Sequence, residues 1–169
     1  MANSVDPASP SLAPKRASDS ETEMVQVVLP NDANPLGFIL GGTVMHLIDI
    51  AGAIASFRHA RSRVVTAAVD DLVFLHPIKV GDLIILKARV TCTFRTSLEV
   101  RVDVFSEESL TGFRQQTSRA FLTFVTIDEQ GNHVDVPPLL VDTDDDRAEC
   151  EAARERRRVR LQRRASARG

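Results

Sequence analysis

Residues Pro30-Asn31-Asp32-Ala33-Asn34-Pro35-Leu36-Gly37-Phe38-Ile39-Leu40-Gly41-Gly42-Thr43-Val44-Met45-His46-Leu47-Ile48-Asp49-Ile50-Ala51-Gly52 decide the reading of this chain. A polar turn runs into the pair Gly41-Gly42, and an apolar segment follows that one carboxylate, Asp49, interrupts. A lone carboxylate on an otherwise apolar helix is costly to bury unless it is paired or used. A helix that opens at Gly-Gly presents free backbone N–H groups to whatever sits at its start. Together the two features suit a site that polarises a carbonyl and activates a water.

Gly42 to about His59 reads as a helix. Val44, Met45, Leu47, Ile48, Ile50, Ala51, Ala53, Ile54, Ala55 and Phe57 leave it almost no polar face, which marks a buried helix. Arg58, His59 and Arg61 follow, the charge type favoured at a helix C-terminus. Upstream, Met24 to Leu29 is a short strand stopped by Pro30, and Asn31 to Phe38 is a loop. Downstream the period changes to two. Val64–Leu75, Leu83–Phe94, Ser97–Phe105 and Phe113–Ile127 read as strands. In the third, Leu98, Val100, Val102 and Val104 alternate with Glu99, Arg101 and Asp103, the pattern of a half-buried antiparallel strand. Thr143 to about Arg164 reads as a last helix, with Asp144, Asp145 and Asp146 at its start and arginines at its end.

That order predicts an α+β fold: one curved antiparallel sheet wrapped around a long central helix, plus a C-terminal helix. Residues 1–20 read as a flexible N-terminal tail, 21–142 as the ordered domain, and 143–169 as a charged helix and tail. A helix apolar on all sides needs more cover than one sheet face. The expectation is at least a dimer, with sheet edges paired across chains.

The chain has 169 residues, 43% of them hydrophobic, which suffices for one core. The formal net charge of −2 offers no basic field for nucleic acid or an anionic membrane. The arginines of 154–164 are offset by Asp144, Asp145, Asp146, Glu149, Glu151 and Glu155, so that helix reads as solvated or as an assembly contact. Cys92 and Cys150 lie far apart and match no metal spacing, which fits a reducing cytosol. Residues 1–22 carry no signal-peptide pattern, and Val44–Ala55 is too short to span a bilayer. The expectation is a cytoplasmic protein with no bound metal.

The chain resembles the hotdog-fold acyl-CoA thioesterases of the branch with an Asn/Asp active site. The matching residues are Asp32-Ala33-Asn34-Pro35-Leu36-Gly37, Gly41-Gly42, Met45, Asp49 and Ala51-Gly52-Ala53. Val65-Thr66-Ala67-Ala68-Val69-Asp70, Phe74, Pro77, Val80-Gly81-Asp82, Arg95-Thr96-Ser97 and Val136-Pro137-Pro138 match further along. The resemblance covers roughly residues 23–141. His46 and Ile50 depart from it, flanking Asp49 where related sequences often carry other polar residues.

The resemblance implies hydrolysis of fatty acyl-CoA to free fatty acid and CoA, with no metal or redox cofactor, in a hexamer built as a trimer of dimers. Asp49 would be the base, or a nucleophile forming a mixed anhydride. Asn34 would orient the water or bind the carbonyl, facing the Asp49 of a partner protomer. The Gly42 N–H, beside Gly41, would polarise the thioester oxygen. Each residue also has a plain structural reading: a salt bridge or a helix-cap contact for Asp49, an Asx turn before Pro35 for Asn34, a tight turn with close packing for Gly41-Gly42. Gly37 and Gly52 read as packing glycines. Arg95, Thr96 and Ser97, with Arg58, His59 and Arg61, are candidates for holding CoA; solvated turn charges are the alternative. His46 shares a helix face with Asp49, and a satisfied helix histidine is its plain reading. His76 and His133 sit beside turn residues. Two rival functions remain open at this point. One is a non-catalytic acyl-CoA-binding hotdog regulator, which would lack a usable base. The other is a hotdog hydratase using His46.

Overall fold

The structure is a computed structural model that describes residues 12–167. In chain order it contains β1 (Lys15–Arg16), β2 (Thr22–Val27), α1 (Gly41–Ala60), β3 (Arg63–Phe74), β4 (Leu83–Thr93), β5 (Ser97–Glu107), β6 (Arg114–Ile127), β7 (Leu139–Leu140) and α2 (Asp144–Ser166). Five strands form an antiparallel sheet in the order β2-β4-β5-β6-β3, and β1 pairs parallel with β7 beside it. The predicted α+β architecture is the one observed.

The inner face of the sheet is an apolar row on each central strand. Ile84, Leu86, Ala88 and Val90 of β4, Leu98, Val100, Val102 and Val104 of β5, and Ala120, Leu122 and Phe124 of β6 pack on Val44, Leu47, Ile48, Ala51 and Ala55 of α1. Each such large side chain contributes roughly 1.5–3 kcal/mol. A Cβ on Gly52 would stand 2.9 Å from the Phe124 ring, so glycine is needed there for the helix to lie this close. Gly37 differs from its predicted packing role: it has open space around it and a φ of 81°, so it serves the turn.

The remaining face of α1 is not covered. Met45, Asp49, Ala53 and Phe57 recur every fourth residue and form one stripe. Met45 is 47% exposed and Phe57 46% exposed. Beside this stripe runs β3, an edge strand bonded on one side only, with Val65, Val69 and Val73 exposed. One sheet therefore covers only part of a helix that is apolar nearly all round.

Three expectations are corrected. The segment predicted as a flexible tail is packed from Lys15 onward: β1 joins β7, and Ala17 and Ser20 are buried. Its residues 1–11 lie outside the described residues. Second, β5 is not half-buried. Glu99 and Asp103 on its outer face are buried as well, because α2 lies across that side. Arg156 of α2 grips Glu99 with two hydrogen bonds of 3.0 and 2.7 Å, and its guanidinium stacks 3.7 Å from the Phe121 ring. Arg160 bonds Asp70 at 2.6 Å, Asp146 bonds Arg89 at 2.6 Å, and Glu149 pairs with Arg101. Asp146, Glu149, Arg156 and Arg160 are thus spent on the outer face of the helix's own sheet, while Asp144, Asp145, Arg147, Glu151, Arg154, Glu155 and Arg158 face solvent as expected. Third, Cys92 and Cys150 are distant only in sequence. A disulfide joins them beneath α2, against Ala153 and Phe94, so the pair no longer argues for a reducing cytosol.

Candidate active site

The start of α1 is open. Its capping residue Leu40 makes no side-chain cap, the first turn holds no acidic residue, and the first helical bond runs from Val44 N to Leu40 O at 3.1 Å. Among the described residues the N–H groups of Gly41, Gly42 and Thr43 have no acceptor. They carry the positive end of the helix dipole. Gly42 is exposed and has nothing near its Cα, so a ligand oxygen can approach its N–H closely.

A cavity of about 360 Å³ opens beside this helix start. Asn34, Phe38, Gly41, Val44, Phe74 and Ser118 are among its walls. Asn34 is held by its own loop: its Oδ1 accepts from Leu36 N at 3.0 Å and Phe38 N at 3.2 Å. The Asx-turn reading therefore holds, and it does not exclude the functional one. Fixing the oxygen aims the amide nitrogen, a double donor, away from the turn.

Asp49 lies elsewhere, about 12 Å further along the helix axis. It does not line the Asn34 cavity. It is half-buried in the middle of the uncovered apolar stripe, and its Oδ1 accepts a 2.6 Å hydrogen bond from the hydroxyl of Thr66 on β3. Among the described residues it forms no salt bridge, so that structural reading of Asp49 finds no partner. Thr66 is a contact of Asp49 that sequence reasoning missed. It stood in a matching stretch, but only the register of β3, with Thr66 opposite Phe124 of the inner row, shows that it faces α1. His46 is exposed, and no hydrogen bond joins it to Asp49.

The candidates for CoA gather at the other end of α1. Arg95 N–H and C=O groups belong to the β4–β5 turn: its carbonyl accepts from Val136 N, and its guanidinium pairs with Asp135 at 3.2 Å in the open. Thr96 O accepts from Thr126, and Ser97 opens β5. Arg58 is spent on the Glu21 carbonyl and the Thr22 hydroxyl, at 2.7 and 3.1 Å. Arg61 caps α1 in the left-handed region with φ 50° and stays exposed. His59 must be withdrawn as a ligand contact. It is fully buried, its Nε2 lies 2.9 Å from Pro137 O, and its own carbonyl accepts from Lys15 Nζ at 2.7 Å. Burial pushes its pKa below the usual histidine value. Within one chain, a 20-residue helix of about 30 Å separates these groups from Gly42.

No group of His, Cys, Asp and Glu among the described residues could hold a metal ion. Among them no helix is long and apolar enough to cross a membrane.

Residues 36–113 match the model of the thioesterase superfamily. An acyl-CoA thioester hydrolase of Bacillus subtilis is 36% identical over 128 residues, covering 76% of this chain and 74% of the relative. A solved apo-hexameric acyl-CoA thioesterase is 40% identical with a TM-score of 0.86, covering 91% of this chain and 99% of that one. The acyl-CoA hydrolase of Staphylococcus aureus, solved with butyryl coenzyme A and coenzyme A, is 32% identical with a TM-score of 0.83, covering 91% and 94%. That hydrolase was also solved with alanine replacing an aspartate, an asparagine and a threonine, which are spaced along its chain as Asp49, Asn34 and Thr66 are here. This chain belongs to the thioesterase superfamily, in its hotdog-fold acyl-CoA hydrolase branch. It spans about a quarter of the acetyl-coenzyme A thioesterase of Mus musculus, which is 33% identical over 142 residues, 84% of this chain and 26% of the relative. The cytosolic acyl coenzyme A thioester hydrolase of Homo sapiens is 31% identical over 145 residues, 85% of this chain and 38% of the relative.

Proposed function

We propose that the protein is an acyl-CoA thioesterase whose site forms between two copies of the chain. The observation that carries this reading is Asp49, hydrogen-bonded by Thr66 and set in the uncovered apolar stripe of α1. A partner that covered Met45 and Phe57 would enclose the carboxylate in a dry interface. A two-fold axis there would run the two α1 helices antiparallel. The open Gly42 end and the Asn34 loop of one chain would then approach the other chain's Asp49 and its Arg61 end. The hexameric relative supports assembly beyond the dimer.

In this site the acyl-CoA carbonyl oxygen accepts from the Gly42 N–H, and Asn34 donates to the attacking water. The Asp49 carboxylate takes a proton from that water as its oxygen bonds to the carbonyl carbon. The C–S bond then breaks, and the proton passes to the departing CoA sulfur. The products are a free fatty acid and CoA. The atoms balance with water alone, so the scheme calls on no metal or redox cofactor. Removing one such N–H donor typically costs about 10²–10³ in rate. We place the enzyme in the cytoplasm, as its cytosolic human relative suggests.

The rival readings are weaker. A non-catalytic binder has no use for a threonine that orients a carboxylate. A hydratase would rely on His46 as its base, and His46 is exposed with no hydrogen bond to Asp49. Thiol release from a panel of acyl-CoAs tests the proposal. Asp49→Ala should abolish it; equal activity in that variant would overturn the mechanism.

A further inference from the structure

We propose that the cavity at the start of α1 takes a short acyl chain bearing a hydrogen-bonding oxygen, and that Ser118 is the residue that reads that oxygen. The proposal rests on the thioesterase reading above and names its substrate class.

Three observations converge on Ser118. The first is its place in the pattern. It continues the inner row of β6, where the next three inward residues are Ala120, Leu122 and Phe124. It pairs with Val104 on one side and Phe74 on the other. A serine ends an otherwise apolar row where that row reaches the cavity wall. The second is burial without a partner. Ser118 is 1% exposed, and its Oγ has no hydrogen-bond partner among the described residues. A buried hydroxyl left unpaired is costly, so a position that keeps one has a use for it. The third is local construction. The ladder slips between Val104 and Phe105, which leaves Thr117 as an extra residue just before Ser118. Such bulges re-aim side chains and gather at active sites. The Thr117 hydroxyl is already spent on Val104 O at 3.3 Å. Ser118 thus keeps a free hydroxyl at the deep, buried end of the wall.

The rest of the cavity sets the substrate's other features. Phe38, Ile39, Val44, Phe74 and Ile78 give it apolar walls, which suits an alkyl chain. Its 360 Å³ lies near the lower bound of ligand pockets, roughly 300 Å³, which gives room for a short chain within one protomer. The Gly41 wall places it next to the N–H groups assigned to the thioester oxygen. A chain whose carbonyl sits there would extend past Phe74 toward Ser118. A site built to hydrogen-bond a substrate oxygen discriminates strongly against the analogue that lacks it.

The test compares kcat/KM for butyryl-CoA, 3-hydroxybutyryl-CoA and palmitoyl-CoA by thiol release. The wild-type protein should prefer the hydroxylated four-carbon substrate over the plain one, and both over palmitoyl-CoA. Ser118→Ala should lower the hydroxylated-to-plain ratio roughly tenfold, the worth of one hydrogen bond. Ser118→Thr, which keeps a hydroxyl, should retain the preference. Butyryl-CoA hydrolysis with the same ratio in wild type and Ser118→Ala would overturn this proposal and leave thioester hydrolysis standing. Palmitoyl-CoA turned over as efficiently as the four-carbon substrates would overturn the short-chain assignment. No thiol release from any of the three would overturn the thioesterase reading, and this proposal with it.

Discussion

The Thr66 hydroxyl donates a 2.6 Å hydrogen bond to Asp49 Oδ1, across the line where β3 meets α1. The bond fixes which way the carboxylate faces on a stripe that otherwise offers it no polar partner. Hydrogen bonds to charged groups are worth about 1.5–3 kcal/mol. Thr66→Val keeps the shape and removes the donor. It should cut kcat by roughly 10- to 100-fold while KM for butyryl-CoA changes little. A rise in KM at constant kcat would mean that Thr66 shapes a binding surface instead.

Met45 precedes Asp49 by one helical turn on the same stripe and is 47% exposed. A charge at that position would have to be buried without a partner in any assembly that covers the stripe. Met45→Glu should therefore yield smaller particles in sedimentation and lose thioesterase activity together with the assembly. The chain itself should stay folded, because Met45 is outside the main core cluster. A variant that sediments as the wild type does would place the interface elsewhere.

The architecture was legible from period alone. The largely apolar Val44–Phe57 segment and four strands of period two leave few arrangements. Asn34, Gly42 and Asp49 stood out as candidates, because each is a local anomaly: an amide before Pro35, a glycine at a helix start, a carboxylate among aliphatics. What stayed hidden depends on long-range register. Thr66 faces Asp49 only because β3 pairs Thr66 with Phe124. Ser118 reads as one more strand residue until the bulge and the cavity are seen. Arg58 and His59 had the right charge type for CoA, but Glu21, Thr22 and Pro137 had already engaged them. Local sequence cannot show that a polar group is already taken.

The same lesson applies to α2. Glu99 is 1% exposed and is held by Arg156 with support from the Thr91 hydroxyl at 2.7 Å. Breaking a buried pair from one side leaves an uncompensated charge. Arg156→Ala should destabilise the protein by about 3–5 kcal/mol. Replacing both partners, Glu99→Leu with Arg156→Met, should recover most of that loss, because no charge then remains buried. Denaturant unfolding of the three proteins provides the comparison. A loss under about 1 kcal/mol in Arg156→Ala would match an exposed ion pair instead.

His59 makes a prediction about acid. Its pKa is lowered first by burial, so the unfolded chain binds a proton at this site more readily than the folded one. In the window from the ordinary value of 6.5 down to its depressed folded value, the unfolded state carries more protons. Stability therefore rises with pH through that window and falls as pH drops below about 6.5. The contribution is fully present above pH 6.5. His59→Gln can still reach Pro137 O but does not titrate. Its unfolding free energy should fall less steeply than that of the wild type as pH drops below about 6.5, with the two curves parallel at pH 7–8. Equal slopes in the two proteins would show that acid sensitivity arises from another group.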